Sequence, residues 1–300
     1  MPSANAAARA QGPYENVVVR QRSMFRQIVD RLVRNRSAMI GFCILMTIVV
    51  LCLLAPVIAP EGYNAQNLLE KFLTPSLRHP CGTDNLGRDV FARILYGGRV
   101  SLFIGFASTL FAAAVGIVIG LFAGFSGGAA DNIAMRFMDV LMSIPAILLA
   151  ITIAAALGTG VSSAIFAIGI SSIPIFARLT RAPIIQLKNE EYVEAARSIN
   201  AGRLRIMFGH LLPNIMSPLI VQVTVNVALS ILLAAGLSFL GMGVQPPSPE
   251  WGAIITSAMV YIIDHSYLVT MPGIAISLTV IALNLFGDGL RDCLDPRLKI

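Results

Sequence analysis

The sequence predicts an all-α, polytopic membrane protein with six transmembrane helices. Three observations carry that prediction. The 300 residues are 56% hydrophobic and only 13% charged, with a mean hydropathy of +0.77, where a soluble domain carries roughly 25% charged residues. Apolar runs recur at about the 20 residues a helix needs to cross hydrocarbon. Counted as spans, those runs sort the basic residues onto one side of the membrane.

The runs are residues 37–59, 100–124, 133–157 with Pro145 inside, 161–177 with Pro174 inside, 214–240 and 266–290. The fourth is the shortest, and charge decides in its favour. With six spans and a cytoplasmic N-terminus, the inside holds Arg9, Arg20, Arg22, Arg26, Arg31, Arg34 and Arg36 of the tail, then Arg136. It also holds Arg178, Arg181, Lys188, Arg197, Arg203 and Arg205 of the central loop, and Arg291, Arg297 and Lys299 at the end. The outside keeps only Lys71, Arg78, Arg88, Arg93 and Arg99. Dropping the fourth span would put the central loop's basic residues outside, against the positive-inside rule. Both termini are therefore expected in the cytoplasm.

Residues 1–22 have the composition of a disordered tail, and the charged leader is too long for a secretory signal. Over residues 23–36, Phe25, Ile28, Val29, Leu32 and Val33 keep helical spacing among arginines. That suits an interfacial helix against anionic lipid, or a basic topology signal without a helix. Domain boundaries follow: 1–36 the N-terminal tail, 37–99 the first span and an outer loop, 100–290 a core of five helices, 291–300 the C-terminal tail.

Several functions are disfavoured. No basic patch with interleaved aromatics points to nucleic acid. Cys43, Cys52, Cys81 and Cys293 form no disulfide framework, and no Cys/His spacing suits a metal. No phosphate-binding GxxxxGK[ST] loop and no catalytic constellation is present, so no catalytic residue and no cofactor is assigned to this chain. No carboxylate lies mid-span, since Asp139 and Asp288 fall near span ends. That argues against proton-coupled transport.

One long polar stretch remains, residues 178–213. Tyr192, Ala195, Ala196 and Ile199 share one helical face, and Leu204, Met207, Phe208 and Leu211 repeat the pattern. Between them, Asn200-Ala201-Gly202 is a turn in which Asn or Gly takes the left-handed conformation that ends a helix. The expectation is a helix–turn–helix with Pro213 opening the next span. By spacing alone it is either an amphipathic loop on the membrane or a docking element.

The residues EYVEAARSINAG…GHLLPN resemble the cytoplasmic coupling loop of ABC importer permeases. Glu194, Ala195, Ala196, Leu212 and Pro213 match the pattern, while the family's Gly falls on Asn200 and a common Ile on His210. The resemblance implies a coupling site of Tyr192, Glu194, Ala195, Ala196, Asn200, Gly202, Leu212 and Pro213. In the family this loop enters a groove on an ATPase subunit.

Two further segments narrow the branch. CGTDNLGRDVFARILYGGRVSL, residues 81–102, resembles the stretch before the second span of dipeptide, oligopeptide and nickel permeases. Its Asp89 and Arg93 stand at i, i+4, and a short separate helix near the outer surface is expected. LSFLGMGVQPPSPEWGAII, residues 237–255, and FGDGLRDCLDPRLK at the C-terminus resemble the same branch. Three prolines stiffen the outer loop, and Trp251 is read as an interface anchor. Gln245, Ser248, Glu250 and Trp251 are candidate contacts for a binding protein, with simple loop closure as the other reading. Gln222, Asn226 and Asn284 are polar at membrane depth; they line a pathway or hydrogen-bond between helices.

The resemblance implies the type I ABC importer permease fold and a bacterial inner-membrane location. It also implies a second homologous permease, two ATPase subunits that bind ATP and magnesium, and a periplasmic or lipid-anchored binding protein. The competing class is an ion-coupled secondary transporter or channel; a membrane scaffold without transport ranks below it.

Overall fold

A computed structural model describes residues 30–294. The interfacial helix expected over 23–36 lies largely outside those residues; within them, 30–34 are helical. Among the described residues every regular element is a helix, apart from one isolated bridge between Thr83 and Asp89.

Helix α1 (Arg36–Leu53) is capped by Asn35, whose side-chain oxygen accepts from the Ala38 N–H at 3.1 Å. The short α2 (Ala55–Ile58) continues it. Helix α3 (Val90–Ser126) is 37 residues long, or about 55 Å at 1.5 Å per residue, well beyond the bilayer core. The separate short helix expected before the second span is therefore the first turns of α3 itself. Gly97 and Gly98 do not stop the helix, because they lie against Trp251 and Cys52.

The expected third span, 133–157, is instead two helices, α4 (Gly128–Ser143) and α5 (Ala146–Leu157), bent by 94°. The physical cause is Pro145, which has no N–H to donate and drives Ile144 to an extended conformation (φ −95°, ψ 129°). Helix α6 (Val161–Leu187) passes through Pro174 and Pro183 and runs beyond the expected end at 177. Its charged end is neutralised on α4: Arg178 pairs with Asp139, and Arg181 with Asp131.

After α6 come α7 (Glu191–Ser198), α8 (Arg203–Arg205), a π-helical turn Ile206–Leu211, a 3-10 turn Leu212–Ile215, and α9 (Met216–Phe239). From α8 onward this is one apolar run, Arg203–Phe239. Pro213 thus sits inside a continuing helix rather than opening a new one. Helix α10 (Trp251–Ala258) and α11 (Tyr267–Leu294) follow, and α11 ends the described residues. Among the described residues, five helices are long and apolar enough to span a membrane, and six if α4–α5 is one bent span.

The helices meet through small residues, as membrane packing requires. Gly116, Gly120 and Gly124 form a ridge on α3. A Cβ at Gly120 would lie 2.4 Å from the Ala177 oxygen, so α3 and α6 touch backbone to backbone. Ala150 and Ala154 are fully buried between α5 and its neighbours.

The outer loop packs onto the connection between α10 and α11. Phe72 stacks on His265 with centroids 4.2 Å apart, and the Tyr267 hydroxyl donates to the Thr83 oxygen at 3.0 Å. Asp89 caps α3 through the Ala92 N–H at 3.0 Å, and His79 Nδ1 lies 2.8 Å away on its other oxygen. The Asp89–Arg93 pair expected from spacing is not formed. As the N-cap, Asp89 points back along the loop, and Arg93 faces Asp84 at 3.7 Å.

Candidate functional site

The polar element between α6 and α9 is built around a two-turn helix with matched ends. Helix α7 carries Glu191 and Glu194 in its first turn and Arg197 in its last, the arrangement the helix dipole favours. Its C-terminus closes as a Schellman motif. The Ala201 N–H donates to the Ala196 oxygen at 3.0 Å and the Asn200 N–H to the Arg197 oxygen at 2.9 Å. Asn200 has φ +58°, so it supplies the left-handed residue of the expected turn. Gly202, at φ −63°, does not.

The buried stripe of α7 is Val193 and Ala196, which pack with Leu121, Ile184, Ile206 and Leu211. This corrects the expected face. A helix of two turns offers the core only one such pair, and Tyr192, Ala195 and Ile199 turn outward. Ile199 is 81% exposed and Leu204 60%. Tyr192 and Phe208 are also exposed. Apolar side chains are therefore exposed both on α7 and on the segment after it, as is the carboxylate of Glu194, and exposed apolar surface of this kind marks an interaction surface.

The following segment is held by unusual backbone. The Leu212 N–H donates to the Met207 oxygen, a π-type bond five residues back. Pro213 lacks an N–H, and the π turn re-registers the helix around it. Leu212 is half-buried and Pro213 exposed. Asn214 donates to the His210 oxygen at 2.6 Å and lies 3.5 Å from the Tyr192 hydroxyl, tying the helix after the turn to α7. Burial, then the nearby Glu190, pushes the Tyr192 phenol above its ordinary value, against the pull of the Asn214 hydrogen bond.

The other expected sites divide. Gln222 borders a groove of about 430 Å³ that also shows Ser217, Asp288 and Arg291. Asn226 is sealed at 1% exposure and donates to Thr109 at 3.2 Å and Ser230 at 3.4 Å, so in this structure it joins helices rather than lining a path. Asn284 is exposed on α11. Gln245 and Ser248 are exposed on the outer loop.

Glu250 and Trp251, expected to face a binding protein, are each 1% exposed. Glu250 accepts from Ser101 Oγ and from the Ala253 N–H, both at 2.9 Å, as the cap of α10. Its partner Ser101 is 149 residues away, and no local pattern announces that contact. Among the described residues, no three His, Cys, Asp or Glu side chains gather into a metal-binding cluster.

Comparison with known proteins agrees with this architecture. Residues 116–300 match the model of the binding-protein-dependent transport system inner membrane component, and residues 23–75 match the N-terminal transmembrane domain of oligopeptide transport permease C. A di/tripeptide transport system permease protein of Pseudomonas aeruginosa is 44% identical over 284 residues, covering 92% of this chain and 93% of that one. A glutathione transport system permease protein of Pectobacterium atrosepticum is 41% identical over 288 residues, covering 94% and 95%. Among solved structures, a chain of the MetNI methionine ABC transporter in an inward-facing conformation aligns with a TM-score of 0.55. It is 18% identical and covers 68% of this chain and 96% of its own, a likeness of fold. The chain belongs to the family of binding-protein-dependent transport system inner membrane components and is a multi-pass permease subunit of an ABC importer in the peptide-permease branch.

Proposed function

We propose that this permease carries di- or oligopeptides, or a related small substrate such as glutathione, across the bacterial inner membrane. The names of its relatives support that substrate class. A second homologous permease completes the translocation path, and a periplasmic or lipid-anchored binding protein delivers the substrate. Two ATPase subunits bind ATP and magnesium and supply the hydrolysis; this chain contributes no chemistry of its own. Both termini and α7 lie on the cytoplasmic side, a placement that the distribution of basic residues supports.

The observation that carries the reading is the exposure of Tyr192, Ala195, Ile199, Leu204 and Phe208 on this element, with Glu194 exposed on α7. A groove on an ATPase subunit covers the apolar side chains, and Glu194 meets a cation of that subunit. Closure of the ATPases on ATP then moves α7 and shifts the bundle between two packings a few kcal/mol apart. Gln222 and Asn284 face the path, and Gln245 and Ser248 meet the binding protein.

The test is Glu194→Arg in right-side-out vesicles holding the whole importer, with ATP inside and the binding protein and peptide outside. ATP-dependent uptake of a labelled dipeptide is expected to vanish, while membrane insertion and expression stay at the unmodified level. Uptake that persists in full would overturn the proposal.

A further inference from the structure

Three cations strap the coupling helix to the corner between α3 and α4. Arg197, in the last turn of α7, donates to the Lys188 oxygen at 3.3 Å, and its guanidinium sits 5.7 Å from the centre of the Phe125 ring on α3. Lys188, which ends α6, donates through Nζ to the Gly124 oxygen at 2.9 Å. That oxygen belongs to the last turn of α3, where carbonyls lack helical partners and the dipole favours a cation. Arg181 forks onto Asp131 in the first turn of α4, with Nε and Nη2 at 2.5 and 2.7 Å from the two carboxylate oxygens.

The ties differ in strength. Asp131 is 7% exposed and meets a planar fork that matches both its oxygens, the stronger kind of ion pair. The corner itself is pliant: Gly127 and Gly128 have φ +65° and +58°, and a Cβ on Gly128 would meet nothing. Besides the ion pairs, Met138 of α4, 2% exposed, packs against Ile173, Phe176 and Ala177 of α6 farther along. Beyond the corner, α4 ends in the 94° bend to α5.

We propose that Asp131 and Arg181 are a positioning pair that makes α4 and α5 move with the coupling helix. Motion of α7 then reaches the bundle by two routes: the continuous run from α8 into α9, and the Arg181–Asp131 fork into the bent pair. The inference rests on the coupling reading of α7 and adds the element that receives the motion. Asp139 and Arg178 add a second, exposed tie along the same helices.

The experiment uses the whole importer in proteoliposomes, with the native cysteines replaced and spin labels at Ala130 on α4 and Ser198 on α7. For the unmodified pair, one narrow label distance is expected, unchanged by ATP with vanadate. Asp131→Asn broadens that distance and lowers the labelled dipeptide taken up per ATP hydrolysed about tenfold, within the usual range of coupling between sites. Asp131→Glu and the exchange of Asp131→Arg with Arg181→Asp restore both. Should Asp131→Asn fail to assemble, Arg181→Lys, which keeps the charge and loses the fork, is measured instead and shows the same two changes in weaker form. A narrow distance and an unchanged uptake per ATP in these variants overturn the proposal. So does a lost assembly that neither Asp131→Glu nor the exchange restores, which would make the pair a folding contact alone. If the unmodified importer takes up no dipeptide, the substrate assignment is at fault, and the label distance still decides whether the fork holds α4 to α7.

Discussion

The indole N–H of Trp251 donates to the main-chain oxygen of Ile94 at 2.9 Å, with both residues buried. The ring rests on Gly97 and Gly98 of α3; a Cβ at Gly98 would come within 2.8 Å of it. The two glycines are a seat for the chain's single Trp, and α10 is fixed to α3 through that seat. Trp251→Phe keeps most of the apolar contact and loses the hydrogen bond, at about 1 kcal/mol. Trp251→Ala leaves a cavity as well and should cost about 3–5 kcal/mol. Thermal loss of monodisperse protein in detergent should rank them in that order, with Gly98→Val near the Ala variant.

Asn200 stands where the family carries Gly, and its φ of +58° explains why Asn is accepted. Among residues with a Cβ, Asn tolerates this conformation best, while others lose about 1–2 kcal/mol. Asn200→Gly should leave ATP-dependent uptake unchanged. Asn200→Val should loosen the end of α7 and reduce uptake without blocking membrane insertion. Equal uptake for the two variants would separate the Schellman turn from coupling.

The parts of this architecture legible beforehand were those written in local composition. Hydropathy and the sorting of arginines located the spans, and Asn200 declared its own turn. On α7 the spacing groups Ala196 with Tyr192 and Ile199, yet Ala196 packs inward beside Val193 while Tyr192 and Ile199 stay exposed. Only the tertiary packing of Leu121 and Ile184 selects between them. Pro145 marked a disturbance but not its size, since a proline in a span kinks or breaks it according to what surrounds it. Glu250 is a candidate binding-protein contact by sequence, and its burial escapes that reading because its partner Ser101 sits on a helix far away in sequence.

Gly120 tests the contact on which the central pair depends. A Cβ there would lie 2.4 Å from the Ala177 oxygen and 2.7 Å from the Thr180 Cβ. Neither neighbour is the end of a flexible side chain, so the helices must separate along their whole contact. Gly120→Leu should abolish recovery of folded permease, and Gly120→Ala should lower it. Gly202→Ala is the control: its Cβ would meet nothing and its φ is ordinary, so recovery should equal that of the unmodified chain.

Cys81 offers a test of orientation with a defined pH signature. Burial, and behind it the Asp89 carboxylate, hold its thiol above the ordinary range. Both effects disfavour the thiolate, which is the species that reacts with a maleimide. In sealed right-side-out cells an impermeant maleimide should therefore label Cys81 slowly at neutral pH. Labelling should rise about tenfold per pH unit until the raised pKa is passed. Asp89→Asn preserves the cap of α3, since Asn caps as well as Asp, and removes the neighbouring charge. The thiol pKa then falls, and labelling at fixed alkaline pH should be faster than in the unmodified chain. Labelling that appears only after the cells are broken would place the outer loop in the cytoplasm and reverse the topology on which the coupling site depends.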